Sequence, residues 1–169
     1  MPCAVVLLTL LAGCALPEGR VEAFRGAALA PDAGGLQPAG TELRIDFGRI
    51  KAGVVEAVTR LLGASPVSET INRECAAGPV NTVSWAGLEL TFMDGDFLGW
   101  VLDDAAFATA DGLRPGMTRA ALEAAGVGPF EVTSLGVDFE ANGIFGFLEQ
   151  GTPDAPLIEM SSGLRCSVR

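Results

Sequence analysis

The sequence predicts an α+β fold of two tandem repeats, each a short helical element packed on an antiparallel, hairpin-containing sheet. Two observations predict it. A short helix-forming stretch set between glycines, Gly112 to Gly126, has an echo upstream in Ile50 to Gly63. Two alternating hairpin patterns also align: Leu90-Thr91-Phe92 with Val137-Asp138-Phe139, and Phe97-Leu98-Gly99-Trp100 with Ile144-Phe145-Gly146-Phe147. Between helix and hairpin the first copy carries an insertion that includes Cys75.

Composition bounds the possibilities. The chain has 169 residues and 49% hydrophobic content, enough for one domain or two small repeats sharing a core. A net charge of −10 argues against nucleic acid and anionic lipid surfaces, which need Lys and Arg against phosphate. With no His, the chain lacks the commonest general base and metal ligand.

Residues 1–13 read as a signal peptide of the lipoprotein type. The uncharged run Ala4 to Gly13 suits an apolar signal region and is too short to span a bilayer. It ends in Leu11-Ala12-Gly13-Cys14, which resembles the lipobox of bacterial lipoproteins. The resemblance implies lipidation of Cys14 and a membrane anchor. The Ala15 that follows leans toward the outer membrane, facing the periplasm. Residues 14–41, rich in Ala, Gly and Pro, read as a flexible tether.

Repeat 1 is expected over residues 42–104. Leu43, Ile45 and Phe47 alternate as a strand. Val54, Val55, Val58, Leu61 and Leu62 form one helical face, Glu56 and Arg60 pair on the other, and Gly63 ends the helix. A hairpin turns at Asp94-Gly95. Repeat 2 is expected over residues 105–169, forming one compact domain with repeat 1. Thr118 caps a helix from Arg119 to Ala125, Arg119 pairs with Glu123, and a strand at Phe130 to Ser134, a second hairpin at Gly136 to Leu148 and a final strand at Ile158 to Val168 follow.

The Gly116-Met117-Thr118 turn, the helix closed by Gly126 and the hairpin residues Leu90, Phe92, Gly95 and Phe97 resemble the SmpA/OmlA family of outer-membrane lipoproteins. Gly53 and Gly63, with Val137, Phe139 and Ile144, repeat the pattern more loosely. The tandem arrangement is similar to the beta-lactamase inhibitor protein fold. The resemblance implies small α/β units joined in one sheet. In function it implies outer-membrane assembly or maintenance, or alternatively periplasmic inhibition of a hydrolase.

The chemistry-bearing residues are few. With Cys3 removed and Cys14 lipidated, Cys75 and Cys166 remain and read as a disulfide in an oxidising compartment. Asp94 with Asp96, and Asp103 with Asp104, fit no calcium loop. No nucleophile elbow, Walker loop or dinucleotide fingerprint occurs, so no catalytic residue, cofactor or metal is expected. Period 2 places Leu88, Leu90, Phe92, Phe97, Gly99 and Val101 on a core face, with glycines where a helix comes close. The opposite face then carries Leu98, Trp100, Phe145 and Phe147 among Glu89, Thr91, Asp138 and Glu140. Aromatics mixed with acids read as a protein-binding surface. The other reading is internal packing under the tether or the Cys75 loop. The expected protein is therefore a non-enzymatic, lipid-anchored envelope protein with an unidentified protein partner.

Overall fold

The computed structural model describes residues 28–166, so the signal peptide, Cys14 and the first part of the expected tether lie outside the described residues. The fold is α+β with antiparallel sheets. A small sheet of order β1-β2-β3 comprises Leu29–Asp32, Gly35–Pro38 and Ile45–Asp46. Helix α1 is Lys51–Leu62 and helix α2 is Arg119–Ala124. The main sheet contains β4 (Ser68–Asn72), β5 (Val80–Trp85), β6 (Leu88–Met93), β7 (Asp96–Leu102), β8 (Phe130–Val132), β9 (Val137–Ala141), β10 (Ile144–Leu148) and β11 (Leu157–Gly163). Its order is β4-β5-β6-β7-β11-β10-β9-β8. The four strands after α1 thus run inward from one edge, those after α2 run inward from the other, and they meet at β7 and β11.

This order revises the matching of hairpins. Asp94-Gly95 joins the third and fourth strands after α1, whereas Asn142-Gly143 joins the second and third after α2. By place in the sheet, the counterpart of Asn142-Gly143 is the Ala86-Gly87 turn. Asp94 and Asn142 both have positive φ and each precedes a positive-φ glycine, the backbone that two-residue hairpins need.

The helices form as their sequences dictate. Val54 and Val58, one turn apart, are buried, and Glu56 pairs with Arg60 on the outer side. Gly63 adopts the left-handed conformation that ends α1. The start of α1 is tied to the β6–β7 hairpin by Lys51 N–H to Gly95 O at 2.8 Å. In α2, the Thr118 hydroxyl accepts from Ala121 N–H at 3.2 Å, Arg119 pairs with Glu123, and Leu122 is fully buried. The Arg119 guanidinium also lies over the Phe130 ring, 4.9 Å from its centroid.

The tether expected through residue 41 is ordered from residue 28 onward. Its glycines make a tight turn rather than a linker: Asp32 Oδ1 accepts from Gly34 N–H at 2.8 Å, and a Cβ on Gly35 would lie 2.2 Å from Ile45 O. Its leucines are core, since Leu29 and Leu36 are both fully buried. Arg44 forks onto the Asp32 carboxylate, and that hydrogen bond, ahead of all other causes, holds Asp32 below the usual carboxylate range.

A β-bulge in β7 decides which aromatics are core. Phe92 pairs with Phe97, but Thr91 pairs with Gly99, so Leu98 is an extra residue on β7. Beyond it the parity reverses. Trp100 opposes Leu90, Leu102 opposes Leu88, and Gly99 and Val101 turn to the other face with Thr91 and Glu89. Trp100 is fully buried, and its indole N–H donates to Asp32 O at 2.7 Å. The expectation of an outward Trp100, with Gly99 and Val101 in the core, is therefore overturned. Strict period 2 holds only where the ladder has no inserted residue.

The last strand ends at Gly163, earlier than expected. Gly163 has φ +74°, and a Cβ there would meet Leu98 O at 2.1 Å. The chain then leaves β11 as a strap, Leu164 to Cys166. Leu164 N–H donates to Leu98 O at 2.7 Å, and a Cβ on Gly99 would sit 2.1 Å from Leu164 O. Gly99 thus makes room for the strap, not for a helix. Gly146 serves the core, where a Cβ would strike the Phe139 ring at 2.2 Å. Cys166 is bonded to Cys75 with Cα atoms 5.5 Å apart, so the expected disulfide forms.

Candidate binding face

The face of the main sheet turned away from the helices is built by alternation from five consecutive pairings. One row across it reads Ser84, Glu89, Val101, Ser161, Phe145 and Glu140. The next reads Glu159, Phe147, Asp138 and Glu131. The β9–β10 hairpin has no bulge, so its parity follows the sequence. Val137, Phe139, Ile144 and Leu148 are core, while Phe145 and Phe147 face outward. Phe145 is 42% exposed and Phe147 is half-buried.

The strap divides this face. Arg165 donates to Glu159 at 3.2 Å and stands between two hollows. The hollow on the β5–β7 side, about 190 Å³, is lined by Glu89, Val101, Asp103, Glu159 and the strap residues Arg165 and Cys166. Ser84 donates to Glu89 at 3.0 Å within it. The larger hollow, about 390 Å³, is lined by Pro129, Glu131, Asp138, Glu140, Phe145 and Arg165.

The residues expected on one binding face therefore separate. Asp138, Glu140, Phe145 and Phe147 come together on β9 and β10. Glu89 shares the face but lies across the strap. Leu98 is the half-buried bulge residue under Leu164 N–H, and Trp100 is core. The β5–β7 part is covered, by the C-terminal strap rather than by the tether, and the β8–β10 part is open at Phe145.

Sequence reasoning missed Glu131, Pro129 and Arg165. Glu131 was legible in principle, since pairing β8 with β9 sets it beside Asp138. Arg165 reaches the face only because the strap doubles back, and no local pattern encodes that path.

The face offers carboxylates, one guanidinium and apolar rings. Among the described residues no three Cys, Asp or Glu side chains converge so as to hold a metal ion. No protein-family model, curated protein or solved structure matches the chain.

Proposed function

We propose that this chain is a non-enzymatic, lipid-anchored protein of the bacterial cell envelope, an outer-membrane lipoprotein facing the periplasm. It acts by binding another protein through the open half of its outer sheet face, in outer-membrane assembly or maintenance. The observation that carries this reading is Phe145. It is a large aromatic exposed on a sheet face, beside Phe147 and at the lip of a hollow walled by Glu131, Asp138 and Glu140. An aromatic with an acidic surround fits a partner surface with an apolar centre and basic rim. The anchor rests on the Leu11 to Cys14 signature.

The tandem-repeat reading belongs to the same proposal. Its support is the sheet order, in which helix plus four strands occurs twice and the second set runs in reverse order to meet the first. On this reading the outward positions of Phe145 and Phe147 correspond to Glu89 and Thr91. The two halves would share a scaffold and differ in their working surface.

The test is affinity capture from crosslinked envelopes with the full chain. Phe145→Ala and Glu140→Lys are expected to abolish capture of a partner that the parent chain retains, with the melting temperature changed by no more than a few degrees. Arg60→Ala, on the outer side of α1, is expected to capture normally. Equal capture by all three variants would remove the face from the function. A captured hydrolase held stoichiometrically would favour the inhibitor role.

A further inference from the structure

The main sheet has two edge strands, and they end it differently. β8 has three residues, with Gly128-Pro129 before it and a turn after it in which the Thr133 hydroxyl accepts from Leu135 and Gly136 N–H. Shortness, proline and an immediate turn are the usual guards of an edge. β4, with sequence SETIN, has five residues, no proline, no glycine and one charge. That charge, Glu69, accepts through one carboxylate oxygen from Lys51 and Asn81.

The hairpin geometry fixes which β4 backbone groups point off the sheet among the described residues. β5 and β6 are joined by the two-residue Ala86-Gly87 turn and close on Trp85 opposite Leu88. Such a closing pair exchanges both hydrogen bonds, and the pattern then alternates along the ladder. Trp85, Val83 and Asn81 therefore face β6, whereas Ser84, Thr82 and Val80 turn toward β4. There they meet Ser68, Thr70 and Asn72. The N–H of Val67, at the bend before β4, also donates to Ser84 O at 2.8 Å, so the alternation starts at Ser68 and does not extend to Val67. Glu69 and Ile71 are left pointing their N–H and C=O groups off the sheet. Ile71 is 57% exposed, and Val67, at the bend before the strand, is 72% exposed.

We propose that this edge pairs with the β4 edge of a second copy of the chain, antiparallel about a two-fold axis at Ile71. In that register Ile71 meets its own counterpart, Glu69 meets Arg73, and Thr70 meets Asn72. Opposite charges face each other twice because a two-fold contact repeats every pair. An axis at Glu69 would set two carboxylates together. One at Thr70 would spend Ile71 on Glu69 and leave Arg73 against Val67. The chosen register alone matches both charge and apolar surface. The two sheets become continuous, and the outer face of each copy stays open. A contact this short lies at the small end of specific interfaces, so the dimer is reversible. A net charge of −10 on each copy opposes it, so dimerisation strengthens as salt screens that repulsion.

The test uses the full chain in detergent, with added cysteines and a thiol crosslinker that spans only directly opposed side chains, about 5 Å apart. Ile71→Cys is expected to give a covalent dimer, above the yield of the parent chain. Glu69→Cys and Arg73→Cys are each expected to give none alone and a dimer when mixed. Sedimentation of the parent chain should show a dimer fraction that rises with salt. Ile71→Lys, which opposes two like charges, should weaken association roughly tenfold or more. A parent chain that stays monomeric at every salt concentration would overturn the proposal, as would no crosslink at residue 71. Equal crosslinking of a Val132→Cys control on β8 would do the same, by showing random collision.

Discussion

At the scale of single residues, the structure turns on where two aromatic side chains point. Trp100 is fully buried and hydrogen-bonded to Asp32 O, so its removal leaves a cavity and takes a donor from that carbonyl. Trp100→Ala is expected to cost about 3–5 kcal/mol in denaturant unfolding. Phe145, at 42% exposure, gives up far less on folding, and Phe145→Ala is expected to cost under about 1 kcal/mol. A large stability loss at residue 145 would place it in the core and remove it as a contact. Strict alternation puts both residues on the outward side of their hairpins. Leu98, the extra residue on β7, separates them, and nothing in the local alternation marks it. Phe145 and Phe147 were legible because their hairpin carries no insertion. Glu89 was legible by parity alone, without the strap that cuts it off from them.

At the scale of elements, the helices were the most legible part. The Thr118 cap, the Glu56–Arg60 and Arg119–Glu123 pairs and the Gly63 terminus are local rules acting within one turn. The segment from Leu29 to Pro38 was not legible as structure, because its Pro and Gly content reads as linker while its fit depends on Trp100 and Ile45 from elsewhere; the strand at Ile45–Asp46 was legible from its alternation. Its attachment has a pH signature. Asp32 has a depressed folded pKa, caused first by its hydrogen bond from Arg44. Its contribution is therefore present above the unfolded value of about 3.9 and is lost as pH falls through the lower folded value. Melting temperature should decline through this acid range, and Asp32→Asn should flatten that part of the decline. The pair is partly exposed, so the effect is modest. A slope unchanged in Asp32→Asn would assign the acid sensitivity to other carboxylates.

At the scale of the whole molecule, one covalent bond joins the two ends of the sheet's story. Cys75 follows edge strand β4, and Cys166 ends the strap that leaves central strand β11, at a sequence separation of 91. Closing so long a loop is worth about 4–5 kcal/mol in the chain-entropy model. Reduction is expected to lower the unfolding free energy by about that amount, and a Cys75→Ser, Cys166→Ser double variant should match the reduced parent. If the double variant is as stable as the oxidised parent, the bond is ornamental to the fold. The pairing itself was legible by elimination, once the first two cysteines were assigned to the leader and the anchor. The path of the strap was not, and that path decides which half of the outer face is open.

The central claim is that the open half, around Phe145, is where this chain meets its partner. A photo-crosslinking amino acid placed at residue 145 or at residue 140, in intact cells, tests it most directly, with residue 60 on α1 as the comparison site. The expected result is a discrete higher-mass adduct from residues 145 and 140 after irradiation, and none from residue 60. An adduct from residue 60 with none from 145 or 140 would contradict the claim and move the working surface to the helical side.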